Sequence, residues 1–165
     1  MNDELVLDAP GYIKPCEQNL LLADITPQML KDVAFALELE YLKSASFPGS
    51  FPVTGKIWSI NNRLMINLVC CLRTADSPAR NIVFLLCTGS PYTYLSLNAM
   101  KSLMGQDCEI PTVLLVRIHC NQVIQTNLSP TDSNFANVNV LGMDFLAGNL
   151  LSLCMNFNQK EFSLE

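Results

Sequence analysis

Seven cysteines and one histidine are the side chains of this 165-residue chain with the widest chemical reach. Cys16, Cys70, Cys71, Cys87, Cys108, Cys120 and Cys154 stand mostly in apolar settings with no Cys-x-x-Cys spacing. An odd set of such thiols reads as buried free cysteine in a reducing compartment. Cys70 and Cys71 are neighbours in an expected strand and point to opposite faces, so they do not easily share a metal. His119-Cys120 lacks a second ligand pair at zinc spacing, so neither a metal nor a cofactor is expected. A thiol becomes a protease nucleophile when an adjacent imidazole depresses its pKa. The sole candidate imidazole, His119, lies more than thirty positions after Cys87 with no orienting motif nearby. Asp24, Asp107 and Asp132 read as loop or cap acids with no evident partner.

Cys87 has the most telling surroundings. The apolar run Ile82-Val83-Phe84-Leu85-Leu86 is a buried-strand candidate ended by a turn at Cys87-Thr88-Gly89-Ser90-Pro91. A second segment, Val138-Asn139-Val140-Leu141-Gly142-Met143-Asp144-Phe145-Leu146, sets two apolar residues before a glycine and an acid soon after it. Together these segments resemble the two signatures of the retroviral-type aspartic proteases, the retropepsins. The first signature of that family is Asp-Thr/Ser-Gly; the second is a hydrophobic pair and a glycine that packs behind the first. On this resemblance Cys87 stands where the catalytic aspartate would be, followed by Thr88 and Gly89, and Val140, Leu141 and Gly142 form the second signature. Gly142 follows Cys87 by 55 positions, a somewhat short separation for the family.

The resemblance spans roughly residues 53 to 165 and implies a mainly β fold. The expected form is a retropepsin-like acid-protease β-barrel with a short helix after the signature turn. It also implies what has been lost. Retropepsins contribute one aspartate per protomer and share a proton between two carboxylates across a homodimer axis, so that one activates water. Two thiols cannot hold and activate water in that way. The threonine matching Thr88 would hydrogen-bond across the dimer axis, the glycine matching Gly89 would permit the tight turn, and the acid matching Asp144 would be structural. The long glycine-rich flap of the active enzymes is reduced here to Met104-Gly105-Gln106-Asp107-Cys108-Glu109-Ile110-Pro111.

The elements that must hold these segments are legible around them. Residues 55–63 and 64–72 read as two strands about Asn61-Asn62. Ser96 caps a helix over Leu97 to Leu103. Thr112 to His119 and Val123 to Leu128 read as paired strands, and Leu150 to Phe157 with Glu161 to Leu164 as a closing hairpin. Residues 1–52 form an N-terminal extension. In it Thr26-Pro27 opens a helix reaching about Lys43, and Ser44 to Pro52 is a proline-containing linker whose aromatic residues pin it to a surface. Met29, Val33, Leu37 and Tyr41 share one stripe of that helix, which either packs on its own domain or binds a partner.

Composition narrows the function. Half the chain is hydrophobic and 15% is charged, against about 25% charged in an average soluble domain. No apolar stretch reaches the roughly 18 residues of a membrane helix, so the surplus apolar surface is expected to cover a protein interface. The net charge is −5 and the basic residues are scattered, which does not favour nucleic acid. The acidic start Met1-Asn2-Asp3-Glu4 carries neither a signal-peptide nor a transit-peptide pattern, which points to an intracellular, cytoplasmic setting. The reading that follows is a pseudo-aspartic protease: an inactive retropepsin-like structural or interaction subunit, as a homodimer or within a larger assembly. The alternatives are an aspartic endopeptidase whose aspartate has been replaced at Cys87, and a module binding extended peptides in the former cleft.

Overall fold

A computed structural model describes residues 24–74 and 76–165. Cys16 and the acidic start of the chain lie outside the described residues. The chain is mainly β. It runs α1 (Pro27–Ala36), β1 (Val53–Trp58), β2 (Arg63–Leu72), β3 (Arg80–Leu86), β4 (Tyr94–Leu95), α2 (Leu97–Met104), β5 (Val113–Ile118), β6 (Val123–Leu128), β7 (Val140–Leu141), α3 (Met143–Gly148), β8 (Leu153–Asn156) and β9 (Glu161–Leu164).

The strands make one nine-stranded mixed sheet in the order β3-β7-β4-β6-β5-β2-β1-β9-β8. An extra pairing of β3 with β2 folds the sheet back on itself. It is nonetheless not the closed barrel expected from sequence, because β1, β9 and β8 continue outward from β2, with β8 outermost among the described residues. The ten residues of β2 make this possible by serving three neighbours in turn: Arg63 to Met65 pair with β1, Met65 to Cys70 with β3, and Cys70 to Leu72 with β5.

Strand alternation sorts the core into two clusters, as the two-residue side-chain period requires. Ile82, Phe84 and Leu86 of β3 join Ile66, Leu68, Met100, Phe145 and Phe162 in one. Val83 and Leu85 point the other way, to Met65, Tyr94, Phe135 and the inner face of α1.

Thr26 caps α1 with its hydroxyl, which accepts from the Met29 amide at 3.2 Å. The helix ends at Ala36, well short of the expected Lys43. Glu38 takes a left-handed φ of 60° and sends its N–H to the Phe35 carbonyl, while the Leu39 N–H reaches the Ala34 carbonyl at 2.9 Å. This is the Schellman closure, built on a glutamate where glycine is the usual signal. The chain then runs alongside β3, with the Leu42 amide donating to the Asn81 carbonyl.

The stripe expected to offer a partner surface faces inward. Val33 is fully buried, and Met29, Leu37 and Tyr41 are half-buried against the second cluster. Phe35 is the large apolar residue that α1 leaves outside, at 83% exposure. The extension therefore shares a core with the sheet across the 52/53 boundary. Its linker is a packed strap: Phe47 lies under the Arg117 guanidinium, the Gly49 amide donates to the His119 carbonyl, and the Phe51 ring meets the His119 ring edge-on at 4.9 Å.

Candidate functional site

The turn at Cys87 is assembled by an unusual strand arrangement. β7 lies between β3 and β4, parallel to β3 and antiparallel to β4. Leu85 and Leu86 sit opposite Val140 and Leu141. The Leu85 amide donates to the Asn139 carbonyl at 2.8 Å, and the Cys87 amide to the Leu141 carbonyl at 3.0 Å. The two segments singled out in the sequence are thus brought into direct contact, with Cys87 half-buried at the carboxyl end of β3. Val140, Leu141 and Gly142 are buried beside it, and Thr88 and Gly89 are exposed beyond it.

Gly142 and Gly89 differ in what holds them as glycine. A Cβ on Gly142 would stand 2.2 Å from the Tyr92 carbonyl oxygen, a backbone atom that cannot swing away. A Cβ on Gly89 would meet only the Cys87 sulfur, at 3.9 Å, and the Gly89 backbone is not in the left-handed region. The expected requirement for glycine in a tight turn at position 89 is therefore absent from the chain's own geometry. The close approach occurs at 142 instead.

Asp144 closes the turn from behind. Its carboxylate accepts from the Thr93 amide at 3.0 Å, the Thr93 hydroxyl at 2.6 Å and the Phe145 amide at 2.8 Å. The Thr93 oxygen in turn accepts from the Gly142 amide at 3.1 Å. Burial raises the Asp144 carboxyl above its ordinary value, against the opposing pull of the Thr93 and Phe145 donors. With all its oxygens committed to holding the chain, Asp144 is an anchor and not a free acid.

On the strand neighbouring Cys87, the register carries Arg63 to the level of position 87. Arg63 is already engaged. Its guanidinium meets Asp24 through Nε at 2.9 Å and Nη2 at 2.6 Å, and Asn61 donates to the same carboxylate at 2.7 Å. Asp24, which had no evident partner in the sequence, is thus one arm of a forked ion pair that ties the start of the described chain to the base of β2. The Arg63 hydrogen bonds hold its carboxyl below the ordinary value of 3.8, against the raising effect of burial. A depressed carboxylate pKa contributes stability that is present above the unfolded value and is lost as pH falls through the folded one. Acid unfolding of the wild type should therefore show a component below about pH 4 that Asp24→Asn lacks. Superimposable stability curves for the two proteins below that pH would contradict this.

No imidazole serves Cys87. The His119 amide donates to the Val69 carbonyl, six positions along β2 from the level of Cys87 and so about 20 Å away at the usual strand rise. The His119 ring is turned into the strap, with Nε2 3.0 Å from the Ser50 carbonyl oxygen. Cys70 and Cys71 are buried, and burial pushes the Cys70 thiol well up. Cys120 donates to Asn149 Oδ1 at 2.9 Å. Among the described residues no group of three or more His, Cys, Asp or Glu could hold a metal ion.

Sequence reasoning missed the residue that binds the assembly together. Asn139 is fully buried, and its Oδ1 accepts from the Ser96 amide at 2.9 Å. Its Nδ2 donates to Tyr41 Oη at 2.8 Å and to the Val83 carbonyl at 2.9 Å. One side chain thus links the segment after α1, β3 and the cap of α2. Its available signal was a polar residue inside the apolar run Val138-Asn139-Val140. No protein-family model matches the chain, and neither does any curated protein or solved structure. No helix among the described residues is long and apolar enough to cross a membrane.

Proposed function

We propose that this chain is a catalytically inactive retropepsin-like protein that acts as a structural or interaction subunit. The observation that carries the reading is the insertion of β7 between β3 and β4, which sets Leu141 against Cys87 at the point where a retropepsin would present its aspartate. Further support comes from Gly142, whose contact with the Tyr92 backbone suits the packing role of the family's second glycine. The short turn between α2 and β5, where a flap would be expected, also fits.

The same surroundings argue against simple restoration of activity. An aspartate at position 87 would stand beside Arg63, which favours the ionised carboxylate and opposes a shared proton. There is also no flap to exclude water from a bound peptide. Cys87→Asp is therefore expected to fold and to show no peptidase activity between pH 3 and 7, a range of roughly the span over which carboxylate dyads titrate. Acid-dependent cleavage of a diverse peptide library by that variant, abolished again by Cys87→Asn, would overturn the reading in favour of an aspartic endopeptidase with a replaced acid.

A further inference from the structure

The loop between β2 and β3 brings a hydroxyl and a guanidinium to the same two oxygen atoms. Ser77 Oγ donates to the Leu72 carbonyl at 3.1 Å and to the Thr74 carbonyl at 3.0 Å. Arg117, opposite Cys71 in the pairing of β5 with β2, reaches both of those carbonyls, with Nε 3.4 Å from the Leu72 oxygen and Nη2 3.1 Å from the Thr74 oxygen. The hydroxyl and the guanidinium are therefore neighbours across a single carbonyl. Because the Arg117 guanidinium carbon also lies 5.0 Å from the centre of the Phe47 ring, one side chain joins the loop, the sheet and the strap.

Ser77 is followed by proline, as are Thr26, Ser90 and Ser129, and the fold separates the four. Ser90 and Ser129 are buried, with their hydroxyls given to the Tyr92 and Val138 carbonyls. Thr26 is committed as the cap of α1, and Pro27 already belongs to the helix. That leaves Ser77, half-buried in irregular backbone between the exposed Asp76 and Pro78. A residue before proline is kept out of the helical region, so Ser77 is held in the extended form that a kinase cleft takes up. The described chain begins at Asp24, tied to Arg63 at the opposite end of β2 and about 30 Å away at the usual strand rise.

We propose that Ser77 is a phosphorylation site for a proline-directed serine/threonine kinase, and that Arg117 is the residue that receives the phosphate. In the transfer, Ser77 Oγ bonds to the γ-phosphorus of a nucleoside triphosphate while the bond from that phosphorus to its bridging oxygen breaks. The nucleoside diphosphate leaves, and the hydroxyl proton passes to the base of the kinase. The donor at Ser77 is then gone. In its place stand acceptor oxygens carrying about −1.5 to −2 charge at neutral pH, which repel the Leu72 and Thr74 carbonyls. The planar fork of Arg117 binds a phosphate through two parallel hydrogen bonds, so it moves from the carbonyls to the new group. Arg73, exposed in the same loop, adds charge of the favourable sign, and Asp76 opposes it. Arg80 is held elsewhere, by Ser44 and Ser102. The inference does not depend on what position 87 once did.

The test treats the full chain, under native conditions, with a purified proline-directed kinase and ATP. Peptide mapping by mass spectrometry should place the phosphate on Ser77, and Ser77→Ala should lose it. Phosphorus NMR then reads the partner. The phosphoserine of the folded chain should titrate at least about half a pH unit below that of a synthetic phosphopeptide of residues 73–80, whose ordinary value is near 6. That peptide carries Arg73, Asp76 and Arg80, so the difference reports what the fold adds. Arg117→Gln, with its fold checked by circular dichroism, should remove most of the difference. No phosphate at Ser77 would overturn the proposal, as would phosphate at Thr26 in its place. So would a folded chain whose phosphoserine titrates like the peptide, a comparison made on the native sequence that misfolding of a variant does not touch.

Discussion

Gly142→Ala is expected to lower stability by about 3 kcal/mol, the upper range for forcing atoms into a packed site. The reason is the 2.2 Å approach to the Tyr92 carbonyl oxygen, which belongs to the backbone that returns from the Cys87 turn. Relief would require β7 to move away from that segment, breaking the Gly142 to Thr93 and Cys87 to Leu141 hydrogen bonds together. Gly89→Ala supplies the control. With only an ordinary contact to the Cys87 sulfur at its Cβ and no left-handed φ, it should shift stability by less than about 0.5 kcal/mol, as surface changes do. Urea unfolding of both variants measures the difference. Equal effects at the two glycines would mean that the close approach is not what constrains this part of the chain.

Asn139→Ala should cost on the order of 3 kcal/mol, because it strips partners from several buried groups at once. The Ser96 amide and the Val83 carbonyl lose the carboxamide, and Tyr41 Oη loses its donor. Burial raises the Tyr41 phenol above its ordinary pKa, against the pull of the Asn139 and Ser96 side chains. Tyr41→Phe alone should cost roughly 1–2 kcal/mol, since its hydroxyl bonds the side chains of both Asn139 and Ser96. The double variant should cost less than the sum of the two, since they share a contact. Full additivity in a double-mutant cycle would show that Tyr41 and Asn139 act independently.

Much of this architecture is legible in the sequence. The two strands about Asn61-Asn62, the serine cap at 96 and the closing hairpin rest on short-range physics, and each element forms within about five residues of its expected bounds. That the Gly142 segment would lie against the Cys87 segment was expected from the family resemblance and not from any local rule. What sequence hid was long-range. The end of α1 escaped because Glu38 occupies the left-handed position that glycine normally announces. The barrel expectation failed because pairing β9 with β1 extends the sheet outward, and nothing in Glu161 to Leu164 encodes which strand it will join. Thr93, Asn139 and the Asp24–Arg63 fork matter through partners tens of positions away, so their residue types alone carried no sign of their roles.

The threading of β7 also governs the order of events by which the molecule is made. Leu85 must find Val140 across an intervening stretch that includes α2 and the whole β5–β6 hairpin. Loop-closure entropy is spent before that contact returns anything, and topologies of this kind fold slowly. A ribosome would release the Cys87 segment well before β7 exists, so a nascent chain carries Val83 and Leu85 uncovered on one face. α1 precedes that strand in synthesis and covers the same face. The N-terminal helix is therefore placed to act as an intramolecular guard for β3, shielding its apolar surface until the strand that completes the centre arrives.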